Sequence, residues 1–267
     1  MRHLIPFLNR SPLVAVVRLQ GMIAAGGRGL NDAALAPVLD RAFRRGKPVA
    51  VALAINSPGG SPVQTALIAA RVRRLAGERG VPVHAFVEDV AASGGYWLAV
   101  SADQIWVDPS SVVGSIGVIS AGFGFHELLA RQGIERRVHT AGGSKSFLDP
   151  FRPEKPEDVA RLTALQEPIH RAFIAEVKAR RGARLDAGPT GADLFTGDVW
   201  VGEQAVALGL ADGIAHLVPK MKELFGDKVR FAAHGPRRSL WQRFGASMLG
   251  DVMTGIEERA LWARYGL

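Results

Sequence analysis

The chain has 267 residues, 48% of them hydrophobic and 22% charged, enough apolar matter for one large α/β domain or two smaller ones. It contains no cysteine, which excludes structural disulfides, thiolate catalysis and zinc–cysteine sites. The net charge is +8, from 33 basic and 25 acidic residues, but the basic residues fall in small scattered groups that solvated helix faces explain. With no zinc finger, RNP pattern or aromatic-interleaved basic strip, no nucleic-acid partner is expected.

The N-terminal stretch MRHLIPFLNRSPLVAVVRLQGMI is interrupted by Asn9, Arg10, Arg18 and Gln20. It therefore reads as neither a signal peptide nor a spanning helix, and the expected location is cytoplasmic or peripheral at the inner face of the membrane. Leu13–Val17, with Leu19 and Met22–Ile23, reads as a first strand. Asn31 caps a predicted helix over 32–45, and Val49–Ile55 is a continuous apolar run suited to a strand buried on both faces. A helix over 62–79 opened by Pro62 and a strand over Val81–Val87 complete an alternation that indicates βαβ units around a largely parallel sheet. After Ser93 the reading gives a short helix carrying Tyr96, Trp97 and Val100, then strands at Gln104–Val107 and Val112–Ile119. Further on it gives a helix over 124–132, a strand at Glu135–Val138, a small-residue loop at Thr140–Ser144 and a helix from Pro156 to about Arg181. A polar connector over 182–194 is followed by a helix over 202–208 and a short turn and strand in LADGI.

From about 235 the pattern changes. Trp241, Phe244, Met248, Val252, Ile256 and Ala260 recur at three or four, one apolar helix face. Packing within the chain or on a sister subunit explains most such stripes; Arg237, Arg238, Arg243, Trp241 and Trp262 also suit a helix lying on a membrane. The expected organisation is thus an α/β domain over 1–234 and an amphipathic helical tail over 235–267.

Two glycine turns follow buried strands. In NSPGG, Gly59 and Gly60 permit a backbone turn that exposes N–H groups where α/β sheets bind ligands. In ASGGYW, Ser93–Gly94–Gly95 joins a strand to a helix, where backbone N–H groups can face an oxyanion. Taken singly, SPGG also fits a plain tight turn, and Ser93 a helix cap. None of the seven histidines stands in a catalytic setting; His84 falls in a strand and His170 in a helix. Lys145 lies in a loop of small residues with Phe147 and Phe151 following. To act as a base it must be neutral, and lowering a lysine pKa from about 10.4 to about 7.5 costs about 4 kcal/mol of ammonium stabilisation. A surface lysine would stay charged.

The ordered set NSPGG, ASGGYW, DPSSVVGSIGVI, GGSKSFLDPF and FTGDVWVGEQAVALGLADGI resembles the signal peptide peptidase A (protease IV) family of Ser-Lys serine peptidases over residues 13–218. The resemblance implies a crotonase-like/Clp-like α/β fold with a largely parallel sheet flanked by helices. It implies Ser93 as nucleophile, Lys145 as general base and Ser115 as the residue that helps orient the lysine. Gly60 and Gly94 match the oxyanion-hole donors, with Gly59 an alternative to Gly60. It further implies peptide substrates such as signal peptide remnants, no cofactor or metal, and a homo-oligomeric ring, an octamer being one size, in which the lysine serves a neighbouring subunit's serine. Many members of that family carry a spanning N-terminal anchor, for which this sequence shows no counterpart. The rival readings are a crotonase-like acyl-CoA hydrolase and a non-catalytic membrane-associated scaffold.

Overall fold

Alternating apolar strands and capped helices build the first half of the protein: β1 (Leu13–Gln20), α1 (Asp32–Arg44), β2 (Ala50–Ser57), α2 (Pro62–Arg79), β3 (Val83–Ala92) and α3 (Gly94–Val100). The structure is a computed structural model that describes residues 11–26, 29–143, 145–185, 193–235, 259 and 262–266. The local signals act as predicted. The Asn31 side chain accepts from the Ala34 N–H to open α1, and Ser61 with Pro62 opens α2. Gly80, at φ +60°, closes α2 in the left-handed region that suits glycine. All eight residues of β2 are buried, as its unbroken apolar run requires.

The sheet continues with β4 (Gln104–Val107), β5 (Val112–Gly114), β6 (Val199–Val201), β7 (Gly213–Ile214) and β8 (Arg230–His234), in the order β6-β5-β3-β2-β1-β8, with β4 joining β3 to β7. Every pairing is parallel except β5 with β6. The result is the mixed α/β architecture with a mostly parallel, helix-flanked sheet that the sequence predicts. Strand β3 shares one edge between two partners: His84–Phe86 pairs with β4 and Val90–Ala92 with β5. Against β2, two steps from Ile55 to Ser57 face four steps from Val87 to Ala91. Asn56 fills this irregularity, its side chain accepting from the Val90 N–H and donating to Asp89, so the displaced backbone stays satisfied.

The chain divides into two compact units, 1–116 with 174–267, and 117–173. The first holds the sheet, α1–α3, α6 (Gly202–Ala207) and α7 (Leu217–Phe225), with Met221 packed against Val14, Phe86 and Trp106. The second holds α4 (His126–Arg131) and most of α5 (Pro156–Arg181). It is organised by aromatic contacts, Phe125 lying 5.7 Å from Phe151 and the Arg136 guanidinium 4.8 Å from the Phe151 ring centre.

Several expectations need correction. The strand predicted over Val112–Ile119 ends at Gly114, because Gly114 (φ +108°) and Ser115 (φ +52°) leave the extended region. Glu135–Val138 forms no strand; Glu135, Arg136 and Arg137 are exposed, and a strand needs a partner edge. Helix α7 and strands β6 and β8 were not anticipated. The amphipathic stripe from Trp241 to Ala260 lies outside the described residues.

Candidate active site

Ser93 stands where β3 turns into α3, with φ +51° and ψ −122°. A non-glycine residue in this region is strained, at a cost of order 1–3 kcal/mol, and persists only where its surroundings enforce it. The enforcement is visible. The Ser93 N–H donates to the Gly114 carbonyl at 2.8 Å, and its own carbonyl accepts from the Trp97 N–H at 3.0 Å. Ser93 occupies the N-cap position of α3, yet its hydroxyl makes no capping bond. The capping explanation of this serine therefore falls away, and the half-buried hydroxyl is left for another use.

The two glycines that follow are dictated by close approach. A Cβ on Gly95 would lie 2.3 Å from the Ser57 carbonyl oxygen, and one on Gly94 would lie 2.6 Å from the Thr65 hydroxyl. On the facing turn, a Cβ on Gly59 would sit 2.8 Å from both the Gly94 nitrogen and the Ser93 Cβ. The two glycine turns are thus stacked in direct contact, and any side chain would pry them apart. Gly60 (φ +136°) is pinned against β1's extension, since the Ile23 N–H donates to the Gly59 carbonyl and the Ser61 N–H to the Ile23 carbonyl.

This packing separates the candidate donors. The Gly59 N–H points to the Ser57 hydroxyl at 3.3 Å. The N–H groups of Gly60 and Gly94 meet no acceptor among the described residues. Gly94 opens α3, where the first N–H groups have no intrahelical partner and attract negative charge. Ser57 is a contributor that sequence reading overlooked. Buried at the end of β2, it donates to the Gly21 carbonyl at 2.7 Å and so ties the NSPGG turn to β1. Its place inside NSPGG was the one available signal.

Ser115 also comes to this turn. The pairing Ala92↔Gly114 places Ser93 and Ser115 at matching positions, one residue beyond the paired ends of adjacent parallel strands. The Ser115 N–H donates to the Asp198 carbonyl at 2.7 Å. Beneath the turn, fully buried Tyr96 donates its hydroxyl to the Leu210 carbonyl at 2.9 Å, and burial pushes its phenol well above the ordinary value. Tyr96 is therefore a neutral structural peg.

Lys145 belongs to the other compact unit. It is exposed, and its N–H closes a turn onto the Gly142 carbonyl at 3.2 Å. The loop continues through Leu148 (φ +53°) to Asp149, whose carboxyl is held below its ordinary pKa first by the Phe151 N–H, then by Arg136 and Arg152. His84 is buried in β3, and burial lowers its pKa.

A serine in a strained strand-to-helix turn, beside two open backbone donors, is the arrangement of a nucleophile facing an oxyanion hole. The profile described as Peptidase family S49 matches residues 76–225, which include both Ser93 and Lys145. The chain belongs to peptidase family S49. A Haemophilus influenzae relative named "Probable protease SohB" is 32% identical over 73% of this chain and 54% of its own length. A Brucella melitensis relative named "Na(+)/H(+) antiporter NhaA" is 47% identical over 100% of this chain but only 39% of its own length. This family S49 chain thus spans about half or less of those relatives. Among solved structures, a lysine-to-alanine mutant of a membrane-bound stomatin-specific protease, in complex with a substrate peptide, matches with TM-score 0.54 at 16% identity, covering 87% of this chain and 95% of the other. That likeness is one of fold. No helix among the described residues is long and apolar enough to cross a membrane.

Proposed function

We propose that this family S49 chain is a serine endopeptidase that hydrolyses unfolded or membrane-released peptides, such as signal peptide remnants, with a Ser-Lys dyad. The observation that carries the reading is Ser93 itself: strained, uncapped, and beside the open Gly60 and Gly94 N–H groups. Ser93 Oγ attacks the scissile carbonyl while the Lys145 amine takes the hydroxyl proton. The two N–H groups stabilise the oxyanion, each such donor being worth about 3–4 kcal/mol. Lys145 returns the proton to the leaving amine, and water, deprotonated in turn by Lys145, releases the acyl group. Ser115 orients the lysine.

A lysine acts as a base only when neutral, so a dry surrounding for the amine is part of the reading. Substrate and a neighbouring subunit in a homo-oligomeric ring, an octamer being one size, supply the cover. The catalytic domain is assigned to 1–234 and the tail over 235–267 to packing on the same chain or a sister subunit, with peripheral contact at the inner face of the membrane, from the cytoplasm, as the alternative. Peptide substrates accord with the stomatin-specific protease solved with its substrate peptide.

Digestion of unfolded casein tests the assignment. Ser93→Ala and Lys145→Ala are each expected to lose about 10³-fold or more in rate while keeping the assembly state of the parent. Near-parental hydrolysis by either variant would remove that residue from the mechanism.

A further inference from the structure

At the edge that β8 forms among the described residues, away from the glycine turns in sequence and in element, strand β8 and the C-terminal half of α1 line a half-open cavity of about 590 Å³. Its walls include Leu13, Arg41, Arg45, Arg230, His234 and Gly235. Phe231 packs with Met221 and Val229 on one face of β8, so by strand alternation Arg230 and His234 share the other.

Two features of this cavity stand out. Arg41, Arg45 and Arg230 pair with no carboxylate among the described residues, and the one polar contact of Arg41 is a 3.3 Å donation to the Gly235 carbonyl. His234 Nε2 is buried with no hydrogen-bond partner. Burial first, then the nearby Arg41 and Arg45 charges, holds the His234 imidazole below its ordinary pKa. The unpaired buried nitrogen costs about 1–3 kcal/mol, and the three arginine charges beside it favour an anion in the same space.

The helix dipole explains cations in the last turn of α1. It does not explain Arg230 and His234, which come from a different element and converge on the same space. Donors arriving from two elements suit a tetrahedral group with several oxygens better than a flat carboxylate. We propose that this cavity is an anion site that takes a phosphate group, carried either by an acidic phospholipid or by a free phosphate ester.

The test uses the full chain at low ionic strength, with inorganic phosphate by calorimetry and with phosphatidylglycerol or phosphatidylcholine vesicles by flotation. Phosphate should bind and should move the His234 imidazole resonances without moving those of His126. The double variant Arg41→Gln/Arg45→Gln, altered at non-core positions, should bind about tenfold more weakly or worse. The charge-matched control Arg74→Gln/Arg79→Gln should behave as the parent. Phosphate binding lost in the double variant establishes the site with a free phosphate source. Flotation with phosphatidylglycerol alone, lost in the same variant, establishes it with a lipid source. No binding in either arm, equal binding by parent and double variant, or acetate binding as tightly as phosphate would each overturn the proposal. Peptidase activity does not enter the readout, so the outcome is independent of the dyad.

Discussion

The Ser93 turn and the Lys145 loop are both rich in glycine, and they use it for opposite ends. At the turn, glycines are required by contact: Cβ atoms on Gly59, Gly94 and Gly95 would each strike a neighbour at 2.8 Å or less. In the loop, a Cβ on Gly142 or Gly143 would meet nothing within 4 Å. Ser93 is thus locked into a close-packed sheet, whereas Lys145 sits exposed in an open loop. The difference teaches that this chain fixes Ser93 and the open Gly60 and Gly94 N–H groups by its own packing. The Lys145 loop is not fixed in the same way.

Four substitutions can break or sharpen that contrast. The largest effect is expected from Lys145→Arg, which keeps the charge but cannot become neutral. Casein hydrolysis should fall about 10³-fold or more with the melting temperature unmoved, since the side chain is exposed. Retained activity would show that the lysine acts as a cation and not as a base. Next comes Gly95→Ala. Its methyl would press on the Ser57 carbonyl at 2.3 Å, and a chemical denaturation curve should show a loss of about 3 kcal/mol. Tyr96→Phe should cost about 1–2 kcal/mol in the same measurement, because it leaves the buried Leu210 carbonyl without its donor. The smallest effect belongs to Gly143→Ala, expected within about 0.5 kcal/mol of the parent, as nothing opposes the added methyl. A large loss there would mean that the loop is as tightly held as the turn.

Much of the fold was legible because its signals are local. Asn31, Ser61–Pro62 and Gly80 mark helix ends by hydrogen-bonding chemistry, and α2 and β4 run where the pattern put them. Strands β6 and β8 were missed for a physical reason. Strand β6 is only three residues, Val199–Val201, too short for its alternation to stand out, and β8 (Arg230–His234) has mixed exposure with no apolar run. The early stop of β5 was equally hidden, since VVGSIGVI reads as continuous strand until Gly114 and Ser115 adopt positive φ.

What the sequence determined alone is the set of groups with special chemistry or special freedom. Ser93, Lys145 and the paired glycines stand out because hydroxyl, amine and missing Cβ are properties of single residues, whereas their expected roles, and Ser115 altogether, came from the resemblance of the ordered motifs to a family. Only the tertiary structure decided how those groups are spent. It gave the Gly59 N–H to Ser57 and left those of Gly60 and Gly94 open, and it held Ser93 in strain while sparing its hydroxyl. Those outcomes depend on contacts between strands far apart in the chain, which no short stretch of sequence records.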